Sequence, residues 1–568
     1  MKASDYIVEF LIDNEITDVF GYPGGMVTHL MDSFSKYKER ILAHLSYNEQ
    51  GAALAACGYA QTSGKIGVAY ATSGPGATNL LTGICNAYMD SIPTVFITGQ
   101  VNSFEQKGEL TVRQRGFQET DIVSIVEPIT KCALRVDTKE KLQKSLEQAF
   151  FLANEERKGP VLLDISMDVM RADIEPSLLP MYKLPEKRKQ GLSLKQIEEV
   201  KDVINHSKRP VVLVGNGLKR DKSIFKRIND CSIPVVSSML AVDVQTEIDN
   251  YYGFIGAYGN RTANFIVAKS DLVISLGARL DVRQVGTARE NFAPCSQIVR
   301  VDIDTGELEY KVHQNEISFG IDASVFVEQA FPGECMGRYD KWNEVCRLLQ
   351  KRLEGIDDKE PNELMMSLSD FVDEDTVITT DVGQNQVWAA QSFILKKNQR
   401  LLFSGGHGVM GYSLPAAIGA YYAKHQKIYS LNGDGGIQMN IQELQWIARE
   451  HLPIVVIVFN NNALGMIRHF QEMYFSGNYY QTVSGQGFDS PNFELLAYAY
   501  RLKYLKIESA EDFRKMACLG NGPAIVEVIL RGDTYVYPKL EYGKPNQDQE
   551  PLLDRKLYDE LMQLGEDK

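Results

Sequence analysis

Short β-branched runs alternate with helical stretches along most of the chain. Two of these runs end in glycine-containing turns, at residues 66–76 and 94–99. The first residues, MKASDYIVEFLIDNEI, carry acidic residues inside an apolar pattern, which predicts an amphipathic helix and not a signal peptide. The alternation of strand and helix predicts parallel α/β structure from residue 1 to about residue 175.

Two further groups of strand candidates follow. The central group is apolar enough to be buried on both faces, and each strand of the last group leads into a polar, glycine-rich turn. The candidates are residues 210–217, 271–277 and 297–304, then 376–383, 427–436 and 452–462. The pattern predicts an α/β protein with three doubly wound parallel-sheet domains, whose ligands lie at the carboxyl ends of the strands.

The boundaries come from breaks in this pattern. The stretch from Glu175 to Ser193 contains three prolines and a basic cluster, which disfavour helix and strand and predict a linker. A charged helical stretch from about residue 340 to Pro361 closes the central part. We expect domains at 1–175, 190–340 and 360–545, followed by a polar tail, 546–568, that wraps over a surface.

Composition narrows the class of protein. A chain of 568 residues is too long for one hydrophobic core. The formal net charge of -14 argues against nucleic acid or an anionic membrane as the main partner. No apolar run approaches the roughly 18 residues of a membrane span. The eight cysteines are scattered, without a CxxC pair, and predict a reduced, cytoplasmic protein. No internal repeat is visible.

The sharpest motif is Gly433-Asp434-Gly435, which follows an apolar strand. After 24 further residues a second apolar strand ends in an Asn460-Asn461 pair. Mg²⁺ prefers hard oxygen ligands that the protein shares with a diphosphate, and one carboxylate and one amide oxygen are sufficient. Asp434 and Asn461 are the candidate ligands, and the glycines allow the backbone to approach phosphate groups closely.

This spacing resembles the thiamine-diphosphate enzyme superfamily. The resemblance implies Mg²⁺ and thiamine diphosphate as cofactors, with the backbone carbonyl of Ala463 as the third protein ligand. The run from Asn48 to Val101, with its NEQGAA, TSGPGATN, MDSIP and ITGQV segments, resembles the pyrimidine-binding domain of the acetolactate synthase family. Glu49 lies where that family keeps the catalytic acid that contacts the aminopyrimidine ring.

A third block, from Val382 to Ala417, supports the same resemblance. It implies that Met410 is the apolar wedge that bends the cofactor and that the Gly408 carbonyl accepts from its amine. The full set of expected cofactor-binding residues is Gly383, Gln384, Asn385, Gly408, Met410, Gly433, Asp434, Gly435, Gly436, Asn461, Gly465 and Met466. In this family the two halves of the site come from different subunits, so we expect a homodimer at minimum, and a tetramer is plausible.

Other positions resemble the family's substrate-binding residues. Arg279, in an Ala-Arg-Leu-Asp segment, is the expected anchor for the carboxylate of a second 2-oxo acid; the alternative is a surface ion pair. The other expected lining residues are Gly25, Phe117, Gln118, Lys131 and Phe470. Phe470 replaces the tryptophan that is usual in the branched-chain biosynthetic enzymes, and Cys132 replaces an aromatic residue or histidine.

Two further features leave alternatives open. Four basic residues, Arg113, Arg115, Arg468 and His469, either bind an anion such as the phosphate of a nucleotide sugar or are exposed charges. The central domain has glycine-rich turns at 215–217 and 256–260 where flavin-binding relatives have theirs. We expect any FAD bound there to be structural.

The resemblance leads to ranked hypotheses. The first is a carboligase that decarboxylates pyruvate or a related 2-oxo acid and transfers the acyl unit to a second carbonyl compound, either another 2-oxo acid or an acceptor such as a keto-sugar nucleotide. The others are a simple 2-oxo acid decarboxylase, a flavin-dependent pyruvate oxidase and a cofactor-binding protein without catalysis. The acceptor, the pathway and any regulatory subunit are not determined by the sequence.

Overall fold

The computed structural model describes residues 1–186, 191–331 and 338–565. Residues 187–190 of the expected linker, the expected domain start at residue 190, Cys335 and the last three residues of the tail lie outside these ranges. The described residues form two compact units. The first unit contains Met1–Glu186, Thr376–Gln386 and Arg400–Asp533, and the second contains the described parts of Lys187–Asp375, Val387–Gln399 and Thr534–Lys568.

The N-terminal part of the first unit is a six-stranded sheet in the order β2-β1-β3-β4-β6-β5, parallel throughout. Its strands are β1 (Asp18–Gly21), β2 (Leu42–Leu45), β3 (Gly67–Ala71), β4 (Thr94–Gln100), β5 (Cys132–Val136) and β6 (Pro160–Ser166). Its helices are α1 (Ala3–Asp13), α2 (Thr28–Lys36), α3 (Glu49–Ser63), α4 (Pro75–Asn79), α5 (Leu81–Met89), α6 (Ile122–Val126), α7 (Leu142–Asn154) and α8 (Met167–Arg171).

The second unit contains a six-stranded parallel sheet in the order β12-β11-β10-β7-β8-β9. Its strands are β7 (Pro210–Val214), β8 (Val235–Ser237), β9 (Tyr251–Phe254), β10 (Leu272–Leu276), β11 (Gln297–Asp302) and β12 (Glu316–Gly320). The helices in this part of the chain are α9 (Leu194–His206), α10 (Lys222–Asp230), α11 (Arg261–Lys269), α12 (Val282–Val285), α13 (Thr305–Glu309), α14 (Ala323–Ala330), α15 (Asp340–Leu353) and α16 (Glu360–Phe371).

The third sheet, in the first unit, is parallel and has the order β14-β13-β15-β16-β18-β17. Its strands are β13 (Val377–Thr380), β14 (Arg400–Leu402), β15 (Ile428–Gly433), β16 (Ile454–Asn460), β17 (Lys503–Ile507) and β18 (Ala524–Ile529). The remaining helices of the chain are α17 (Gln384–Ser392), α18 (Ser413–Lys424), α19 (Leu444–Arg449), α20 (Gly465–Tyr474), α21 (Phe493–Ala499) and α22 (Arg555–Gln563). This sheet repeats the strand order of the first one, although the sequence shows no repeat.

Three parallel six-stranded sheets with flanking helices confirm the predicted fold class. The amphipathic N-terminal helix is also confirmed, because α1 buries Ile7, Val8 and Leu11 on one face. Pro361 does not end a helix: it lies in the first turn of α16, where proline is tolerated because its missing N–H has no intrahelical acceptor. The chain after residue 545 is more ordered than its polar composition indicated, since it includes α22 with a buried Leu561.

Small residues bring α3 and α18 of the first unit into close contact. A Cβ atom on Gly58 would lie 2.1 Å from the carbonyl oxygen of Ala416. A Cβ atom on Gly419 would lie 1.9 Å from the carbonyl oxygen of Ala55. Because real Cβ atoms do not approach an oxygen so closely, only glycine fits at either position. The two helices share one hydrophobic core with strands of the first and third sheets.

Arg261 links the chain after residue 545 to the rest of the second unit. Its buried guanidinium pairs with Asp357 at 2.7 and 2.9 Å and donates to the backbone oxygens of Gln549 and Pro551. Replacing it by alanine leaves a carboxylate and two carbonyls without their donor. We expect Arg261→Ala to lower the free energy of unfolding by about 3–5 kcal/mol in urea denaturation.

The matched control is Arg352→Ala, which breaks an exposed ion pair with Glu560 in the same unit. Exposed pairs contribute about 0–1 kcal/mol. Equal midpoints for Arg261→Ala and Arg352→Ala would show that the buried guanidinium does not stabilise this unit.

Candidate active site

Asp434 lies directly after β15 and is almost fully buried, with 2% of its surface exposed. One carboxylate oxygen accepts from the Gly435 N–H at 3.1 Å, and the other accepts from the Ala463 N–H at 3.2 Å and the Ser490 hydroxyl at 2.6 Å. Burial raises the pKa of Asp434 to about 6, and these hydrogen bonds oppose that shift. The carboxylate is therefore oriented by its donors but poorly solvated, as expected of a group that binds a cation.

Asn461 reaches the same edge of the sheet from the neighbouring strand. β15 pairs with β16 so that Gly433 is opposite Phe459, which places the residues after each strand side by side. The buried Asn461 donates from its amide nitrogen to the side-chain oxygen of Gln384 at 2.9 Å. This hydrogen bond leaves the amide oxygen of Asn461 as the acceptor end of the side chain.

Gln384 and Asn385 begin α17 at the same sheet edge. Asn385 donates to the backbone oxygen of Asp381 at 3.0 Å, whereas its own side-chain oxygen is buried without a hydrogen-bond partner in the described part of the chain. A Cβ atom on Gly433 would lie 3.4 Å from that oxygen, and one on Gly465 would lie 2.0 Å from the Gln384 side-chain oxygen. Met466 follows Gly465 on α20 and is half-buried.

These observations test whether the residues suit Mg²⁺ and a diphosphate. The candidate metal ligands are the Asp434 carboxylate, the Asn461 amide oxygen and the backbone carbonyl of Ala463, whose N–H donates to Asp434. All three are hard oxygen ligands of the kind that Mg²⁺ prefers. The glycine backbones at positions 433 and 465 come close to Asn385 and Gln384 without a side chain in between. The residues present fit the expected group.

The loop 404–410 is held on both sides of His407. Asp90, at the end of α5, accepts from the N–H groups of Gly405 and Gly406 at 2.9 and 2.7 Å. The Ser404 hydroxyl accepts from the Val409 N–H at 2.9 Å. The loop is therefore anchored by side chains, and Asp90, which the sequence analysis gave no role, is one of its anchors.

Within this loop the backbone at Gly408 has a φ of 71°, a conformation that favours glycine. A Cβ atom there would meet nothing within 4 Å, so the backbone borders open space. Met410 follows, half-buried, just before α18. The geometry leaves the Gly408 region accessible to a ligand.

Glu49 is the first residue of α3 and is 7% exposed. The preceding Asn48 caps the helix by accepting from the Gln50 N–H at 2.8 Å. One carboxylate oxygen of Glu49 accepts from the Asn79 amide at 2.9 Å, and a Cβ atom on Gly76 would lie 3.0 Å from the other. The carboxylate is thus held in a single orientation against the TSGPGATN segment.

A second acid, Glu443, fixes the entry to the same helix. Its fully buried carboxylate accepts from the Tyr47 N–H at 3.1 and 3.2 Å. Burial raises the pKa of Glu443 to about 7. Gln50 adds a hydrogen bond to the Asn440 side chain at 3.3 Å. These contacts join the N-terminus of α3 to the segment that follows the Gly-Asp-Gly turn.

Four of the expected substrate residues lie near strand ends, in loops or on α20 of the first unit. Gly25 begins a short 3₁₀ turn after β1, and Gln118 packs against Gly74 with a φ of 62°. Phe117 is 79% exposed. Phe470, on α20, is 48% exposed and forms an aromatic cluster with Tyr474 and Phe475.

The side chains of the other two expected substrate residues have partners within the chain. The half-buried Lys131 donates its ammonium group to the backbone oxygen of Glu155, and burial lowers the pKa of Lys131. Arg279, in the second unit, pairs with Asp281 at 2.7 Å, and both side chains are about one-third exposed. Arg279 therefore forms a surface ion pair among the described residues, which was the alternative to its role as an anchor.

The four basic residues for which anion binding was one of two alternatives differ in environment. The guanidinium of Arg468 lies over the ring of Tyr479, 5.0 Å from its centre, and His469 is buried. Arg113 and Arg115 are exposed, and Arg115 donates to the backbone oxygen of Gln106 at 3.2 Å.

The structure brings Asp434, Asn461, Ala463, Gln384 and Gly465 together, whereas no hydrogen bond in the described ranges joins Glu49 to Asp434 or to the 408–410 loop. Sequence reasoning missed Asn79 and Ser490, which donate to Glu49 and Asp434, and it missed Asp90 and Glu443, which hold the neighbouring backbone at Gly405–Gly406 and at Tyr47. Asn79 and Asp90 lie in the TSGPGATN and MDSIP segments, and this location is the one sequence feature that could have pointed to them. Ser490 and Glu443 carry none.

The glycine-rich turn after β7 packs on the turn after β10. Gly215 donates to the Leu276 oxygen at 2.9 Å and Gly217 donates to the Gly277 oxygen at 3.0 Å. The two strands are neighbours at the point where the strand order reverses, which is where open α/β sheets bind nucleotides. FAD binding stays a prediction.

Comparison with protein families matches three parts of the chain. Residues 1–125 match the thiamine pyrophosphate enzyme N-terminal TPP binding domain, residues 197–330 the central domain and residues 381–528 the C-terminal TPP binding domain. Thiamine pyrophosphate is another name for thiamine diphosphate. The motifs around Glu49 and Asp434 fall in the two cofactor-binding domains. Thiamine diphosphate with Mg²⁺ is therefore the cofactor pair of this chain.

Curated relatives match nearly the whole length. The acetolactate synthase large subunit of Lactococcus lactis is 34% identical over 565 residues, which cover 95% of each chain. The acetolactate synthase isozyme 2 large subunit of Escherichia coli is 32% identical over 563 residues, and a probable large subunit of Methanocaldococcus jannaschii is 33% identical over 559. Among the described residues, no helix combines the length and apolar character that a membrane crossing requires. The chain belongs to the family of thiamine-diphosphate-dependent enzymes that includes the acetolactate synthase large subunits.

Proposed function

We propose that the enzyme is a carboligase that decarboxylates pyruvate or a related 2-oxo acid and transfers the acyl unit to a second carbonyl compound. The observation that carries the proposal is the buried Glu49 carboxylate, held by Asn79 at the start of α3 in a chain that is similar over 95% of its length to an acetolactate synthase large subunit. With pyruvate as donor and acceptor, two pyruvate anions and one proton give one acetolactate anion and one CO₂.

One group of residues binds the diphosphate end of the cofactor together with Mg²⁺. Asp434, Asn461 and the Ala463 carbonyl hold Mg²⁺, and Gln384 and Asn385 bind the diphosphate. The close approach of the glycine backbones to Gln384 and Asn385 supports this division. Gly383, Gly435 and Gly436 keep the backbone near the diphosphate free of side chains.

The catalytic residues act at the other end. Thiamine diphosphate supplies, when bound, the carbon nucleophile that adds to the 2-oxo acid. Glu49 holds and transfers a proton at the aminopyrimidine ring, and the Gly408 carbonyl accepts from the ring's amino group. Met410 would supply an apolar contact to the bound cofactor. Asn79 keeps the Glu49 carboxylate in orientation without donating a charge.

Carboligation requires an anchor for the acceptor. We propose that Arg279 binds the carboxylate of the second 2-oxo acid and that Gly25, Phe117, Gln118, Lys131 and Phe470 line the substrate region. The partial exposure of Arg279 and of its partner Asp281 supports this, because a substrate carboxylate can replace an exposed partner at small cost. We also propose a homodimer as the minimum working unit, because in this family the two halves of the site come from different subunits.

The test is to incubate the purified protein with thiamine diphosphate, Mg²⁺ and pyruvate, following pyruvate loss and identifying products by NMR. Acetolactate, or acetoin derived from it, is the expected product. Consumption only after addition of an aldehyde or a keto-sugar would identify another acceptor. Free acetaldehyde alone would identify a decarboxylase, and acetate with peroxide would identify an oxidase; either result would overturn carboligation.

A further inference from the structure

Asp381 is not among the residues proposed to bind Mg²⁺, the cofactor or the substrate. It follows β13 directly, at the same sheet edge as Gln384 and Asp434, and none of its surface is exposed. A fully buried carboxyl group requires donors to compensate for lost hydration. The distribution of those donors over its two oxygens indicates what the residue does.

One oxygen of Asp381 collects backbone donors from two segments. It accepts from the Val382 N–H at 2.9 Å, from the Gly411 N–H at 2.8 Å and from the Tyr412 N–H at 3.0 Å. Gly411 and Tyr412 come directly after Met410 and lead into α18. A single oxygen therefore sets where the backbone lies immediately after Met410.

The other oxygen has no hydrogen-bond partner within the described ranges and faces the Gly-Asp-Gly turn. A Cβ atom on Gly436 would lie 2.0 Å from it, so the carboxyl group directly abuts the backbone there. The side chain thus lies between the segment carrying Met410 and the turn carrying Asp434. Burial raises the pKa of Asp381 to about 7, although its backbone donors oppose the shift.

The opposite side of the same loop has a comparable anchor. Asp90 accepts from the Gly405 and Gly406 N–H groups, before Gly408, while Asp381 accepts from residues after Met410. The residues between the two anchors are those expected to contact the aminopyrimidine ring. Only Asp381 also contacts the diphosphate side, through Gly436.

We propose that Asp381 is a positioning residue that sets the spacing between the Gly408–Met410 segment and the diphosphate-binding turn, and thereby lets both ends of thiamine diphosphate bind at once. This rests on the proposed function for the identity of the two ends. A ligand that occupies only the diphosphate end does not depend on that spacing. The proposal therefore separates binding of the whole cofactor from binding of its diphosphate.

The experiment compares two ligands by isothermal titration calorimetry in the presence of Mg²⁺: thiamine diphosphate and inorganic diphosphate. Asp381→Ala is expected to lower the affinity for thiamine diphosphate by about 10- to 100-fold, because the loop loses its anchor. The affinity for inorganic diphosphate is expected to change by less than about threefold. Asp381→Asn keeps one acceptor oxygen, so a smaller loss, about three- to tenfold and again only for thiamine diphosphate, is expected.

Thr379→Val is the matched control. Thr379 is buried on β13 and donates to the backbone oxygen of Ser413, so its loss disturbs the start of α18 without touching residues 410–412. We expect the ratio of the dissociation constants for thiamine diphosphate and inorganic diphosphate to be the same in Thr379→Val as in the wild type. The asparagine variant carries the test if the alanine variant does not fold.

Equal weakening of both ligands in the Asp381 variants, or an unchanged ratio, would overturn the proposal. Because binding alone is measured, a different acceptor or product would leave the result unaffected. Wild-type protein that fails to bind thiamine diphosphate would contradict the cofactor assignment beneath the proposed function, which is a distinguishable result.

Discussion

Glu49→Gln is expected to lower the turnover number by about 10²- to 10⁴-fold, the range for a lost acid–base group. Glutamine has nearly the same shape and can still accept from Asn79, which donates to the Glu49 carboxylate at 2.9 Å. It cannot release or take up a proton, so the loss falls on the turnover number. Thiamine diphosphate affinity, measured by calorimetry with Mg²⁺, is expected to stay within about threefold of wild type.

The control for this substitution is Glu140→Gln, which makes the same chemical change at an exposed position of the same domain. It is expected to leave turnover and binding unchanged. Near-full turnover by Glu49→Gln would rule out the proton-transfer role. A parallel loss of cofactor binding and thermal stability would instead assign Glu49 a structural role at the start of α3.

Asp434→Asn is expected to weaken Mg²⁺-dependent binding of thiamine diphosphate by about 100-fold or more. Asp434 is the one carboxylate among the three proposed ligands, and Mg²⁺ binds a charged oxygen far more strongly than an amide. Wild-type protein should gain about 2.7 kcal/mol of stability at 100 times the dissociation constant of the cofactor. The variant should show almost none of this gain in thermal unfolding.

The cofactor-free protein should respond differently. The folded-state pKa of Asp434 is raised from 3.8 to about 6, so the folded state binds this proton more tightly than the unfolded state does. The stabilisation by the proton is present at low pH and is lost as pH rises through about 6. At pH 7.5 the substitution removes an unfavourably buried charge, and we expect the unfolding midpoint without cofactor not to fall.

Asp489→Asn is the matched control for Asp434→Asn. Asp489 is exposed and precedes Ser490, whose hydroxyl bonds to Asp434, so the change is made beside the site but outside its ligands. It should keep the cofactor-dependent rise in stability. Retention of that rise by Asp434→Asn would contradict the proposed metal ligand.

Much of the fold was predictable because each strand and helix has a local hydrophobic pattern that indicates its type. Buried strands such as β16 and β10 are mostly apolar runs rich in valine and isoleucine, as expected of strands covered on both faces. The sequence pattern did not predict the structure of segments that are polar in composition but partly buried. The chain after residue 545 reads as a polar tail, yet the Arg261 guanidinium binds its backbone and α22 buries Leu561.

The candidate site divides in the same way. Asp434 and Asn461 could be paired from spacing alone, because each follows a strand and consecutive parallel strands in such sheets are usually neighbours. The contacts that orient them could not. Ser490 reaches Asp434 from a loop 56 residues further along, and Glu443 reaches Tyr47 across 396 residues. No periodicity in the sequence records contacts of that kind.

The sequence by itself determined the parallel α/β class and the family, and it supplied a set of candidate site residues, because these depend on short-range patterns and on residue identity. Tertiary structure alone decided which buried carboxylates face which backbone donors. Asp381 and Asp90 acquire their places only when β13, α5 and the loop 404–412 come together. The physical reason is that a buried polar group is satisfied by whichever donors the packed chain delivers, and those donors are distant in sequence.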